Sequence, residues 1–253
     1  MSHLWLHIDA IPAEGARIAI PREEARHAFG ARRLGAGDRV TLFDGAGTLA
    51  DATLCDERAR DGGVLVEISA RREEPRPVPE TTIAFAVPKG DRFSTLLELA
   101  TQTGVSRLVA IECARSVVDA EKLDRGERWT RIVAESAKVA KRAWMPELAR
   151  GGALLAFAGA EIARGAAVAV AHTEDVVSDA APHAGDARRS SILAWRATLP
   201  ATMPRTVVIG PEGGFEEREL EELRALGARF VSLGPCVMRV EMAAIAAGTL
   251  LQA

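Results

Sequence analysis

From Thr81 to the end of the chain, short apolar segments of strand type alternate with segments of helical spacing. The first apolar segment, Thr82–Val87, is followed by Arg92–Thr103, in which Leu96 and Leu99 fall on one side of a helix. Strands separated by helices are typical of a parallel sheet, so an α/β fold is predicted for this part. The same alternation predicts strands at Arg107–Ile111, Ala166–Ala171, Thr206–Ile209 and Arg229–Ser232, and helices at Gly126–Arg142, Glu216–Leu226 and Glu241–Leu251.

The residues before this region have a different pattern, with short strand-like runs separated by turns. Val40–Phe43 leads into Asp44–Gly47, a turn signal of the Asp-Gly kind, and Val64–Ile68 repeats the strand pattern. A short helix is predicted at Arg22–Arg33, because Pro21 precedes it and proline is favoured at a helix start. These features predict a small β-barrel with an inserted helix.

A charged, proline-rich segment separates the two parts. Residues 71–80 read RREEPRPVPE, with three prolines and six charged residues. Such a composition is unfavourable in a sheet or a long helix, so an interdomain linker is predicted. The predicted boundaries are therefore 1–70 for the β-barrel, 71–80 for the linker and 81–253 for the α/β domain.

Charge and cysteine content restrict the setting of the protein. The formal net charge of −3 at pH 7 provides no global field for a polyanion, so nucleic-acid binding would need a local basic patch. A glutamate and an arginine interrupt the most apolar stretch, Ala153–Ala171, and the N-terminus lacks a signal-peptide pattern. The three cysteines, Cys55, Cys113 and Cys236, lack the spacing of a zinc site or disulfide framework. A cytoplasmic protein without a metal site is predicted.

The segment Gly210–Phe215, GPEGGF, comes directly after the predicted strand Thr206–Ile209 and directly before a helix. Parallel α/β sheets bind ligands at the carboxyl ends of their strands, and glycines allow the backbone to approach a ligand closely. A tight strand-to-helix turn explains the composition equally well. Neither GxGxxG nor GxxxxGK[ST] occurs, so a dinucleotide fold or a P-loop is not favoured.

A second glycine turn, LGPCVMRVEMAA at Leu233–Ala244, again joins a strand to a helix. Arg239 and Glu241 lie at the turn, where polar side chains can point into a cleft. The helix dipole accounts for a glutamate in the first turn but not for an arginine, because a cation is disfavoured there.

Together these two motifs resemble the 16S ribosomal RNA uracil-N3 methyltransferases of the RsmE type, within the SPOUT superfamily. The family pattern is GPEGG-F-x-x-x-E, followed by LG-x-x-ILR-T-E-T-A. This chain retains Gly210 to Phe215 with Glu219, and then Leu233, Gly234, Arg239, Glu241 and Ala243.

The resemblance extends over essentially the whole chain. The stretch HAFGARRLGAGD at 27–38 is similar to the family's N-terminal signature, and the segment 129–142 is similar to its W-x-x-I-x-x-E-A-x-x-Q-S-x-R helix. The matching residues are His27, Arg33, Gly37 and Asp38 in the first stretch and Trp129, Ile132, Glu135 and Arg142 in the second.

This resemblance implies a fold, a cofactor and partners. The expected fold is a SPOUT-type α/β domain with a deep trefoil knot and a small N-terminal PUA-like β-barrel, in a homodimer that acts on 16S ribosomal RNA. The expected cofactor is S-adenosylmethionine, held by Ile209, Gly210, Glu212, Gly213, Gly214, Leu233, Gly234, Met238 and Arg239.

The resemblance also suggests roles for individual side chains. Arg239 is expected to stabilise developing charge or to position a phosphate, and Glu241 to accept a proton or orient the substrate. A favourable helix-dipole interaction explains Glu241 equally well. The residues predicted to contact RNA, which would otherwise form an ordinary solvated surface, are Arg26, His27, Arg32, Arg33, Lys138 and Arg142.

Several polar residues of the family pattern are replaced in this chain. Three alternatives therefore stay open: a methyltransferase with another RNA target, a noncatalytic RNA-binding or ribosome-assembly protein, and an enzyme that acts on a small molecule. The replaced positions are Leu99, Gln102, Val139, Ala140, Val240 and Met242.

Overall fold

A computed structural model describes residues 4–22, 24–25, 34–58, 63–118, 126–172 and 190–253. The chain divides into two compact units, Met1–Arg76 with Ala134–Met145 and Pro77–Val133 with Pro146–Ala253. Residues 134–145 therefore group with the N-terminal part, whereas the predicted domain boundaries, which stay predictions, assign them to the larger domain.

The first unit is built on a five-stranded sheet. Its strand order is β1-β3-β4-β5-β2, in which β1 and β3 are parallel and the other neighbours are antiparallel. One face is apolar, with Leu6, Val40, Leu42 and Ile68 buried in a common core. The prediction of a small N-terminal β-barrel is confirmed in its strand content, and the described strands form a single five-stranded sheet. The strands are β1 (Leu4–His7), β2 (Arg17–Ile20), β3 (Arg39–Phe43), β4 (Thr48–Arg58) and β5 (Val64–Glu73).

The expectation that residues 71–80 stay outside any sheet is wrong at its start, because β5 continues to Glu73 and pairs there with Thr48. Cross-strand hydrogen bonds outweigh the unfavourable charge density of this segment. Most of the helix predicted at Arg22–Arg33 lies outside the described residues.

The second unit is an α/β domain with a parallel sheet of seven strands, in the order β10-β12-β9-β11-β6-β7-β8. Every residue of the central strands β6 and β11 is buried, as expected for strands covered on both faces. The predicted α/β class is confirmed. The strands are β6 (Thr81–Ala86), β7 (Arg107–Glu112), β8 (Glu147–Ala153), β9 (Ala167–Ala171), β10 (Ser190–Ser191), β11 (Arg205–Ile209) and β12 (Arg229–Ser232).

Helices cover both faces of this sheet. The helices are α1 (Arg92–Gln102), α2 (Gly126–Ala140), α3 (Leu154–Ala163), α4 (Ile192–Ala197), α5 (Glu217–Ala225) and α6 (Val240–Gln252). On one face α3 and α5 bury Phe157, Leu220 and Leu223 against the strands. Helix α6 packs closely on the end of α1. Gly248 makes this approach possible, since a Cβ at that position would overlap the side chain of Thr103. In the part of the chain described, no helix is both long and apolar enough to cross a membrane.

Candidate functional site

Two loops leave the sheet at the same level of its carboxyl edge. Strand β9 lies between β11 and β12, and Ala171 pairs with Ile209 on one side and with Val231 on the other. The loop after β11, residues 210–215, is called the glycine loop, and the loop after β12, residues 233–239, is called the arginine loop. Ligands of parallel α/β sheets bind at this edge, so both predicted motifs meet where a ligand is expected.

The glycine loop is a tight turn in which Gly210 is required by close packing and Gly214 by its backbone conformation. The ring of Phe215 folds under Gly210, where a Cβ would lie 2.7 Å from ring atoms. Gly214 has a φ of +71°, and its N–H donates to the carbonyl of Pro211 at 2.9 Å. Phe215 is buried and lies edge-on to His172 at the end of β9, with ring centroids 6.4 Å apart. These contacts fold the loop into a compact turn.

Two arginines that the sequence prediction missed fix the outer part of this loop. The guanidinium of Arg92, at the start of α1, lies 3.0 Å from the carboxylate of Glu212. Arg115, after β7, donates to the carbonyl of Gly213 at 3.0 Å. The segments that contain these arginines, Val87–Arg92 and Arg115–Ser116, also resemble the family, but sequence spacing does not show that they contact the glycine loop.

Glu219 connects the start of α5 to the loop after β7. One of its carboxylate oxygens accepts from the N–H of Glu216 at 2.8 Å, in a capping box, and the other accepts from the N–H of Ala114 at 2.8 Å. Burial, together with the negative charge of Glu219, raises the pKa of the neighbouring Cys113 thiol to about 12. Cys113 is therefore a protonated, buried thiol at neutral pH.

The arginine loop is more open. The hydroxyl of Ser232 donates to the carbonyl of Gly234 at 2.9 Å, and a Cβ at Gly234 would come within 3.3 Å of the Met238 side chain. Val237 is 83% exposed. Within the described residues, no hydrogen bond uses the backbone N–H of Val237 or Met238, so both donors can serve a ligand.

The start of α6 holds the two predicted catalytic side chains. Arg239 is the N-cap residue, with extended backbone and an exposed side chain. Glu241 lies in the first turn, and its Oε2 atom is buried without a hydrogen-bond partner among the described residues. Buried carboxylate oxygens nearly always have a hydrogen-bond partner. An oxygen that lacks one can accept a proton or a hydrogen bond from a substrate.

The residues predicted to contact RNA are only partly described. Arg26, His27, Arg32 and Arg33 lie outside the described residues. The ammonium group of Lys138 is bound by Glu24 at 2.8 Å and by Glu135 at 2.6 Å. Burial lowers the pKa of Arg142 to about 10, which leaves its guanidinium charged at neutral pH. These residues stay predicted contacts.

The two loops suit S-adenosylmethionine better than a metal ion. Among the described residues the backbone N–H groups of Val237 and Met238 make no hydrogen bond, and the one carboxylate of the glycine loop, Glu212, is already paired with Arg92. No group of three or more His, Cys, Asp or Glu residues in the described ranges could hold a metal ion. Backbone groups at the ends of parallel strands are suited to hydrogen bonds with an adenine. The residues present therefore fit this cofactor.

Comparison with protein families gives two matches. The model described as RNA methyltransferase domain matches residues 74–252, and the model described as RNA methyltransferase PUA domain matches residues 20–60. A Mycobacterium bovis protein named ribosomal RNA small subunit methyltransferase E is 33% identical over 256 residues, which cover 98% of this chain and 90% of that protein. A Bacillus subtilis protein of the same name is 25% identical and covers 91% of this chain and 87% of its own length.

Solved structures share the fold. A methyltransferase structure from Legionella pneumophila, in complex with S-adenosylmethionine, has a TM-score of 0.78 and 26% identity, and covers 100% of this chain and 98% of that one. Ribosomal RNA small subunit methyltransferase E from Neisseria gonorrhoeae has a TM-score of 0.77 at 22% identity, and covers 99% and 97% of the two chains. These similarities extend over both parts of the chain, while the trefoil knot stays a prediction.

Proposed function

The chain belongs to the RNA methyltransferase family, and from this membership we propose that it transfers a methyl group from S-adenosylmethionine to N3 of a uracil in 16S ribosomal RNA. Relatives named for methylation of small-subunit ribosomal RNA, matched over nearly the whole chain, support the choice of RNA. The observation that carries the proposal is at the start of α6, directly after the arginine loop. There Arg239 is exposed, and one carboxylate oxygen of Glu241 has no hydrogen-bond partner within the part of the chain that the structure describes.

The two loops are proposed to hold the cofactor. Backbone groups would make most of the contacts, because Arg92 already occupies the carboxylate of Glu212. The side chain of Glu212 would then hold the glycine loop in shape, and its backbone would contact the cofactor. The proposed cofactor-binding residues are Ile209, Gly210, Glu212, Gly213, Gly214, Leu233, Gly234, Met238 and Arg239.

The chemistry proposed for the site divides between two side chains. When bound, S-adenosylmethionine supplies an activated methyl group on a sulfonium. Uracil N3 carries a proton that must leave as the new N–C bond forms, and Glu241 is proposed to accept it. Arg239 is proposed to stabilise the negative charge that develops on O2 or O4 of the base, or to bind an adjacent phosphate.

Substrate contacts and assembly are further parts of the proposal. Arg26, His27, Arg32, Arg33, Lys138 and Arg142 are proposed to bind RNA phosphates, which predicts that affinity falls as the salt concentration rises. A cytoplasmic homodimer is proposed, for which light scattering should give about twice the chain mass of 26.9 kDa.

The function is tested by two linked measurements. Isothermal titration with S-adenosylmethionine should show binding, and labelled methyl groups should pass to small ribosomal subunits that lack the modification. Because an N3-methyl group blocks base pairing, reverse transcription of the product should stop at one uracil of the 16S RNA. Transfer to a different base would contradict the assignment of uracil N3. The absence of cofactor binding would contradict the enzyme and favour a noncatalytic RNA-binding protein.

A further inference from the structure

A cavity of about 240 Å³ lies in the second unit, apart from the two loops. Its floor is formed by neighbouring strands, since Phe85 of β6 pairs with Ala110 of β7, and Ala110 pairs with Arg150 of β8. Helices α1 and α2 contribute Phe93 and Trp129. The cavity shares no residue with the candidate cofactor site. The lining also includes Leu108 and Leu148, so the cavity extends along the face of these strands.

The lining of this cavity is aromatic inside and polar at its rim. The ring centroids of Phe85 and Phe93 lie 5.9 Å apart, and those of Phe93 and Trp129 lie 4.6 Å apart in an edge-to-face arrangement. Phe85 and Phe93 are buried, whereas Thr130 and Arg150 at the rim are exposed. A flat, apolar ligand with polar edges suits such a lining.

One buried polar atom of the cavity wall has no partner. The indole Nε1 of Trp129 is buried and donates to no acceptor among the described residues. A buried N–H without an acceptor is costly and rare, and buried Trp N–H groups usually find a partner. An occupant of the cavity that carries a carbonyl oxygen or a ring nitrogen would satisfy this donor.

Cationic groups lie beside the cavity. The guanidinium carbon of Arg128 is 5.1 Å from the centre of the Trp129 ring, and Arg150 lies at the rim. Positive charge around an aromatic cavity favours a base that is linked to phosphates over a neutral aromatic molecule.

We propose that this cavity binds one unstacked base of the RNA, separate from the base that is methylated. The inference rests on the proposed function, because it takes RNA to be the substrate. Proteins read splayed-out RNA bases by stacking them on aromatic side chains and by hydrogen bonds to their edges, which are the two features present here. The adenine of the cofactor has the same chemistry, so the test has to distinguish the two sources.

Nuclear magnetic resonance of the tryptophan indole groups tests the proposal on the intact protein. The four tryptophans should give separate indole signals, and the Trp129→Phe variant assigns the one of interest. Uridine, cytidine and adenosine 5′-monophosphates are added in turn, with ribose 5-phosphate as the control that lacks a base. We expect at least one nucleotide to shift the Trp129 signal in the millimolar range, while ribose 5-phosphate and the buried Trp195 signal show no change.

Three results would overturn the inference. An unchanged Trp129 signal with every nucleotide would show that the cavity takes no base, and an equal shift with ribose 5-phosphate would show that only phosphate binds nearby. A shift caused by S-adenosylhomocysteine would assign the cavity to the cofactor. Failure of the proposed function has a different signature: methyl transfer would be absent while the nucleotide-dependent shift of Trp129 is retained.

Binding of RNA by variants provides a second measurement. Trp129→Phe keeps an aromatic ring and removes the indole donor, so affinity for a single-stranded RNA should fall about 3- to 10-fold. Trp195→Phe, at a buried position within α4, is the matched control and should leave affinity unchanged. Equal affinities for wild type and Trp129→Phe would contradict the assigned hydrogen bond.

Discussion

The surroundings of the Glu241 carboxylate help to distinguish a structural role of this residue from a catalytic one. A glutamate that only complements the helix dipole has no need for a buried, unpaired oxygen, yet Oε2 is buried and has no hydrogen-bond partner among the residues that the structure describes. Glu241→Gln preserves shape and removes the ability to take a proton. We expect the single-turnover rate of methyl transfer to fall about 10²- to 10⁴-fold, with cofactor affinity unchanged.

Glu221→Gln is the control for this experiment, because Glu221 is exposed on α5. It should transfer methyl groups at the wild-type rate. If Glu241→Gln also kept the wild-type rate from low to high pH, Glu241 would have no part in proton transfer, and its place would be explained by the helix dipole alone.

Gly210 tests the packing of the glycine loop. An alanine Cβ would lie 2.7 Å from the buried ring of Phe215, so the ring or the loop has to move. Overpacking of this kind costs about 1–3 kcal/mol, and Gly210→Ala should lower the free energy of unfolding by that amount and weaken cofactor binding. The measurements are chemical denaturation and titration with S-adenosylmethionine.

Gly213 provides a matched comparison for stability. A Cβ there would be 3.5 Å from the nearest atom of Arg115, an ordinary contact. Gly213→Ala should therefore leave the free energy of unfolding nearly unchanged. Equal destabilisation by both alanines would mean that Phe215 does not restrict Gly210.

At the scale of elements, the end of α2 shows a helix stop that the sequence did not signal. The prediction extended this helix to Arg142, but it ends at Ala140 because Lys141 has a φ of +53°. The N–H groups of Lys141 and Arg142 donate to the carbonyls of Lys138 and Ala137, which is a Schellman motif with lysine where glycine is usual.

A glycine at this position should stabilise the protein. Lys141→Gly removes the Cβ that makes the left-handed conformation unfavourable, so the free energy of unfolding should rise by about 0.5–1 kcal/mol. Lys141→Ala is the control and should give no such gain, since alanine also has a Cβ. Thermal and chemical unfolding would measure both, and a gain with alanine would attribute the effect to the lysine side chain instead.

Elements were predicted well where the pattern was local and poorly where packing decided. The strands β6, β7, β9, β11 and β12 were predicted within two residues, because each is a short apolar run between turn signals. In contrast, β8 was missed since Gly151 and Gly152 weaken its strand pattern. Gly151 is needed there because a Cβ would lie 2.7 Å from Phe157 of α3. Helix α3 was missed because it is apolar nearly all round and shows no polar face.

For the second unit as a whole, a buried ion cluster ties several elements together. Glu161 of α3 is buried, accepts from Arg107 at 3.0 Å and from Arg164 at 2.6 Å, and is bonded by the hydroxyl of Thr206 at 2.5 Å. Burial alone would raise the pKa of this carboxyl, but the hydrogen bonds and the charge of Arg164 outweigh it and lower the pKa below its ordinary value of 4.5.

This cluster predicts how stability depends on pH. A carboxyl with a lowered pKa in the folded state contributes stability above its ordinary pKa of 4.5, and that contribution is lost as pH falls through the lower folded value. Glu161→Gln should lower the free energy of unfolding at pH 7 by about 3–5 kcal/mol, because it leaves Arg107 without its buried partner. The variant should also lose less stability than wild type between pH 5 and about pH 3.

Chemical denaturation at several pH values measures this prediction, with the exposed Glu221→Gln again as control. The control should follow the wild-type curve. Parallel pH curves for Glu161→Gln and wild type would show that Glu161 does not titrate with a lowered pKa.

The amino-acid sequence by itself determined the α/β class, the glycine loop, the arginine loop and the family resemblance. Each of these depends on residues within one short segment. Only the tertiary structure decided which distant groups hold those loops. Arg92 and Arg115 reach the glycine loop from α1 and from the loop after β7, and Ala114 donates to Glu219 across the fold. It also decided the surroundings of Glu241 and Trp129, because burial and hydrogen-bond satisfaction are properties of packed neighbours, which sequence spacing does not contain.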